Sequence, residues 1–203
     1  MASEQILRGP APDWIIPTPV HRSNAPDDAA QAIRFELMES QLYKADNGSV
    51  VYTKMRYKVL SPMAVQQASQ LTISWNPAFG SATVHSVELI RNGERINVLD
   101  KADFTILRRE ASLELSSQIN GILTGVLIMP DLRVGDTIEV SQSSAASVPI
   151  LGNPFEGMLP LISPLATDQT HTAIIWPKDH VLSQRNGSEV TPPRVQTHGD
   201  YRV

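Results

Sequence analysis

A two-residue hydrophobic period, broken at intervals by turn chemistry, constrains this chain more than any other feature. In AIRFELMESQLYK, residues 32–44, Ile33, Phe35 and Leu37 alternate with Arg34, Glu36 and Met38, the pattern of a half-buried strand. Asp46-Asn47-Gly48-Ser49 follows, and its residues tolerate positive φ, so SVVYTKMRYKVL is expected to pair back as a hairpin. Val51, Thr53, Met55, Tyr57 and Val59 then share one face, and Tyr52, Lys54, Arg56 and Lys58 the other. LTISW at 71–75 alternates in the same way. TVHSVELI and INVL flank Asn92-Gly93, the strongest short hairpin signal. Further strand candidates are ADFTILRR, LELSS, GILTGVLIM, DTIEVSQS, HTAIIW, DHVLSQ and a last strand near 195–203. SPMAVQQASQ at 61–70 has helical propensity for at most two turns, with Pro62 suited to the first. The expectation is an all-β antiparallel β-sandwich of about a dozen short strands, with at most one or two short helices.

Proline sets the organisation around this repeat. Pro10, Pro12, Pro17, Pro19 and Pro26 cannot donate to a ladder, so residues 1–30 read as an arm packed on the domain, with Trp14, Ile15 and Ile16 pinned into a groove. Residues 31–203 read as one β-sandwich domain. Within it, 144–168 carries Pro149, Pro154, Pro160 and Pro164 among apolar residues and is expected to be a long packed crossover rather than a flexible linker.

Composition excludes several classes of chemistry. No cysteine is present among the 203 residues, which removes disulfides, thiolate metal ligands and a cysteine nucleophile from the chain itself. Net charge is −4, with no Lys/Arg run to track phosphates, so nucleic acid is not an expected partner. The longest apolar stretch, ILTGVLIMP, falls well short of the roughly 18 residues of a spanning helix, so membrane insertion is not expected. The opening MASEQILRGPAPDW has no basic region followed by an apolar core, and no signal peptide is expected within it.

Histidines at 21, 85, 171, 180 and 198 form no ligand-spaced pair, so any metal site has to be assembled in three dimensions. Neither a G-x-S-x-G elbow nor a phosphate-cradling glycine loop occurs, and a Ser-His-Asp set would have to converge from distant strands. Asp27-Asp28 reads as a cap or solvated turn. The sequons Asn47-Gly48-Ser49 and Asn186-Gly187-Ser188 are explained by hairpin turns. No catalytic, cofactor or metal residue is assigned. Trp75, Phe79 and Trp176 are the candidate ligand or partner surface. In MPDLRVGDTIEV, Pro130 ends an apolar strand, Gly135 permits positive φ and Asp136 can bond local backbone, so these three read as a structural corner.

VVYTKMRYKVL, the Trp75 strand, VELIRNGERINV and GVLIMPDLRVGDTIEV, in this order, resemble the N-terminal domain of unknown function that precedes transglutaminase-like domains in bacterial extracytoplasmic proteins. The likeness runs from about residue 31 to the end and takes in HTAIIWPKDHVL and HGDYRV as closing strands; Ser141-Gln142-Ser143, where aromatic residues are usual, departs from it. The resemblance implies a periplasmic or secreted, non-catalytic accessory module. Its partner would be a downstream transglutaminase-like or cysteine-peptidase-like domain, or that domain's polypeptide substrate, with the Cys-His-Asp machinery outside this chain. The alternative expectation is a carbohydrate- or cell-wall-binding sandwich with a glycan partner.

Overall fold

A computed structural model describes residues 3–21, 26–28, 31–45, 48–107, 121–147, 166–183, 185 and 192–203. Twelve strands lie within these residues: β1 (Leu7–Arg8), β2 (Ile33–Ala45), β3 (Gly48–Val59), β4 (Gln70–Trp75), β5 (Gly80–Arg91), β6 (Glu94–Asn97), β7 (Thr105–Leu107), β8 (Leu123–Ile128), β9 (Thr137–Ala146), β10 (Thr170–Pro177), β11 (Thr197–His198) and β12 (Tyr201–Arg202). They form a nine-stranded sheet in the order β1-β5-β9-β3-β2-β10-β12-β11, with β6 also on β5, and a three-stranded sheet β4-β8-β7. The all-β sandwich is therefore as expected, although β2, β3 and β5 run to 12 or 13 residues. Pairing is antiparallel except where β1 meets β5 and β10 meets β2.

Local chemistry accounts for the elements. Asn92 (φ 52°) and Gly93 (φ 85°) make the two-residue turn joining β5 to β6. β2 and β3 pair as far as Ala45 and Gly48, with Asp46 and Asn47 outside the described residues. One helix, α1 (Pro62–Ala68), follows β3; the Ser61 hydroxyl accepts from Ala64 N and Pro62 stands in the first turn. Between the sheets lies one core, with Val59, Val84, Val87, Leu127 and Ile138 wholly buried and Ala64 and Ala68 packing the helix against it. The alternation of β4 holds: Ile73 and Trp75 face this core and Thr72 and Ser74 face outward.

Two departures from regular alternation matter most. Ile33 and Phe35 stand opposite Val59 and Tyr57 and face the core, but the register shifts between Phe35 and Leu37, so Leu37 stands opposite Arg56 on the other face. The expected Ile33-Phe35-Leu37 face is thus broken by a bulge at Glu36. A second shift, between Val84 and Ser86, accommodates His85 as the extra residue in β5.

DHVLSQ is not a strand across its described residues 179–183; its first two residues belong to a turn closed by His180 N to Pro177 O, and Val181 is 92% exposed. All of LELSS, most of the Pro-rich crossover, and Asn186-Gly187 lie outside the described residues.

The corner of Pro130, Gly135 and Asp136 folds as its residues dictate. Gly135 has φ +93°, its N–H donates to Val59 O at 2.8 Å, and Val59 N donates to Asp136 O at 2.9 Å, which ties the corner to the end of β3. A Cβ added at Gly135 would meet nothing within 4 Å, so the cost of a side chain there is purely the left-handed backbone. Gly135→Val is expected to lower unfolding free energy by about 1–2 kcal/mol in urea titration, with an unchanged m-value. Unaltered stability would show that this φ is not required.

Candidate functional site

The face of the large sheet turned away from the core is polar and largely buried. At one end, cross-strand register stacks Glu88, Glu139 and Arg56 on neighbouring strands. Glu139, 4% exposed, accepts from Arg56 Nη1 at 3.1 Å and Arg95 Nη2 at 2.5 Å, with Lys54 Nζ at 3.5 Å. Arg56 Nε donates to Glu36 at 2.5 Å and Arg95 Nε to Glu88 at 2.6 Å. Burial pushes the Glu139 carboxyl up, but the charges of Lys54 and Arg95 and the bonds from Arg56 and Arg95 outweigh it and hold the group below its ordinary value. Three carboxylates face three cations here, so the cluster neutralises itself, and its groups are consumed in pairing.

In the middle stand hydroxyls and an imidazole. His85 places Nδ1 3.0 Å from Gly9 O and Nε2 2.7 Å from Ser143 Oγ. A carbonyl only accepts, so Nδ1 carries a proton, and in the neutral ring Nε2 accepts from the Ser143 hydroxyl. The structure thus brings a serine to a histidine that sequence spacing could not pair, but Nδ1 is engaged by the backbone of the arm and not by a carboxylate. Ser86 and Ser141 hydroxyls lie 2.7 Å apart beside this pair. The Tyr52 ring stacks on His85 at 5.9 Å, and burial, then the charge of Glu39, pushes the Tyr52 phenol up to about 12.

At the far end the arm lies on the sheet. Trp14 stacks on Tyr43 (centroids 5.1 Å, interplanar 17°), and the Tyr43 hydroxyl donates to that of Tyr201 at 2.7 Å. Ile16 N donates to Gln41 Oε1 at 2.9 Å, while Gln41 Nε2 donates to Ile16 O at 2.7 Å and to Glu39 Oε1 at 2.6 Å. The Thr18 hydroxyl sits 2.7 Å from Glu39 Oε1 and 2.8 Å from His171 Nδ1. Gln169 closes the row: its Oε1 accepts from His21 N at 2.9 Å and its Nε2 donates to Pro19 O at 3.0 Å. Residues 14, 16 and 18 thus meet Tyr43, Gln41 and Glu39 in turn, so the arm runs antiparallel over β2. Below it His171 and Ala173 of β10 stand beside Glu39 and Gln41.

The residues singled out from sequence scatter. Trp75, 5% exposed, is in the core and donates to Ser3 O at 2.7 Å. Trp176 is 9% exposed and pairs across to Arg202 in β12, whereas Phe79 is 52% exposed. Two of the three aromatics being buried, they form no common exposed platform. At the corner, Asp136 is 2% exposed and accepts from Arg91 Nε and Nη2 at 2.9 and 2.8 Å and from Arg133 N at 2.8 Å. Burial raises its carboxyl, and the Arg91 and Arg133 donors override that and keep it below the usual range. Pro130 is exposed just beyond β8, and Asp131, at φ 53°, accepts from Arg91 and Arg133. Asp27 is paired with Lys58 and Arg34.

A family model described as a domain of unknown function with a solved structure, DUF3857, matches residues 45–203. The chain belongs to the DUF3857 family. Among solved structures, one named "putative protease" from Parabacteroides distasonis is 16% identical to this DUF3857 chain, covers 84% of it and 34% of its own length, and superposes with a TM-score of 0.62. This likeness is one of fold, and the chain spans about a third of that protein. Yeast LTA4 hydrolase, native and with bestatin, aligns over 60% of the chain and 17% of its own at a TM-score of 0.30, too little to carry an argument. No curated protein matches.

Asp136 and Glu139 have folded values below the unfolded one, near 4, so their stabilisation is complete above that value and lost as pH falls through the folded values. The urea midpoint is expected to stay level from about pH 8 to 5 and to drop below about pH 4. Asp136→Asn is expected to cost about 2 kcal/mol at neutral pH and to flatten the acid limb. An unchanged acid slope in that variant would exclude Asp136 as a contributor.

Proposed function

We propose that this domain is a non-catalytic accessory module, working within a larger extracytoplasmic bacterial polypeptide to orient an attached transglutaminase-like or cysteine-peptidase-like domain or its polypeptide substrate. The observation that carries the reading is the coverage asymmetry: 84% of this chain superposes on 34% of a longer chain named as a protease, so the same fold occurs as one part of a larger protein. Two features support it. The chain holds no cysteine, so a cysteine nucleophile would come from another domain. Around Glu139 the buried polar face is matched internally, cation to carboxylate, rather than arranged around an unpaired charge. The sequence motifs that resemble modules placed before transglutaminase-like domains supply the identity of the proposed partner and the compartment. The glycan reading is not favoured, because Trp75 and Trp176 are buried.

In the protein encoded by the whole reading frame, deletion of this module is expected to lower kcat/KM toward polypeptide substrates by roughly tenfold or more while leaving small chromogenic substrates unaffected. Equal rates toward polypeptides with and without the module, together with no association of the separated parts, would reject the proposal.

A further inference from the structure

We propose that the trough over β2 and β10 is a binding site for an extended, proline-bearing polypeptide supplied in trans, and that residues 14–21 are its resident occupant. The contacts are those of peptide recognition. Gln41 bonds both the N–H and the C=O of Ile16, and Gln169 bonds Pro19 O and His21 N, so two side-chain amides hold main chain and accept many sequences. Selectivity enters at two points: the Trp14 ring on Tyr43, and the Thr18 hydroxyl between Glu39 and His171. Ile16, Thr18 and Val20 are partly buried while Pro17, Pro19 and His21 are exposed, the two-residue spacing of an extended ligand. Pro17 and Pro19 hold it extended and bring no N–H to leave unpaired.

Gln41 and Glu39 are 0% and 5% exposed with the arm in place, so its departure breaks these bonds and opens both groups to water. A second peptide backbone of the same shape restores them. The occupant is therefore an extended segment with an aromatic residue four positions before a threonine, flanked by proline. Its use in handling substrate rests on the module reading; the binding does not.

The test titrates fluorescein-labelled peptide of residues 11–21 into the full chain, read by anisotropy. Trp14→Ala/Thr18→Ala, which loosens the resident arm, is expected to bind at least about tenfold more tightly than the unaltered chain, and adding Gln41→Ala is expected to abolish binding. No saturable binding to the folded double variant overturns the site. Should that variant not fold, hydrogen exchange on the unaltered chain decides. Excess unlabelled peptide should speed exchange at Ile16 and His21 and leave the β2–β3 ladder unchanged, and no acceleration overturns the proposal. No second domain enters the titration, so a silent groove rejects this site alone, whereas equal rates in the deletion comparison reject the module.

Discussion

The bulge at Glu36 decides which way half of β2 faces, and most of what is distinctive here depends on it. Side chains on a strand alternate with a strict period of two, so one extra residue inverts every position beyond it. Without it Leu37, Glu39, Gln41 and Tyr43 would continue the face of Ile33 and Phe35 and point into the core. With it they share the face of Arg56, Lys54 and Tyr52. Burying Glu39 and Gln41 between two apolar sheets would leave several hydrogen-bonding groups unmet, so the inversion is also what the interior requires. The Glu36 side chain bonds Arg56 directly, tying the irregularity to the ionic cluster it helps create.

The second irregularity works with the first. By taking up His85 as an extra residue, β5 returns Val84 and Val87 to the core while presenting His85 and Ser86 to Ser143 and Ser141. The polar face is then continuous, from the Glu139 cluster through the hydroxyls to Gln41. Around Glu139 its charges cancel locally, and Glu39 is held by hydrogen bonds from Thr18 and Gln41, which is how a sheet can bury polar side chains on one face and an apolar core on the other.

Much of the fold was legible because it follows local chemistry. Alternation in β3 and β4, the Asn92-Gly93 turn, the two-turn helix behind Ser61 and the Gly135-Asp136 corner each depend on residues adjacent in sequence. The site was less legible, since its contacts join distant positions. Arg91 reaches Asp136 across 45 residues, Thr18 meets His171 across 153, and no spacing rule joins them. The bulges are hidden for a related reason: AIRFELMESQLYK alternates acceptably in either phase, and only pairing with β3 selects one. Trp75 and Trp176 misled because an aromatic in a strand can face either side, and here the indole of Trp75 is used against Ser3, a partner 72 residues away. The arm's proline content did signal an extended, pinned segment, but the glutamines that hold it carry no motif.

Gly125, in the middle of β8, gives the arm a further property. A Cβ there would fall 2.2 Å from Ile6 Cδ1, so the missing side chain is the socket into which the arm's isoleucine plugs, on the opposite side of the large sheet from Gln41. Together with the β1 pairing to Thr83 and Val84 and the Arg8 contacts to Leu99 and Ala102, this moors residues 3–9 independently of residues 14–21. The distal part is accordingly a leashed ligand, at an effective concentration of the order of millimolar above its own trough. Any competitor meets a guest that never diffuses away, and occupancy from outside is set by the length of the leash as much as by the fit of the groove.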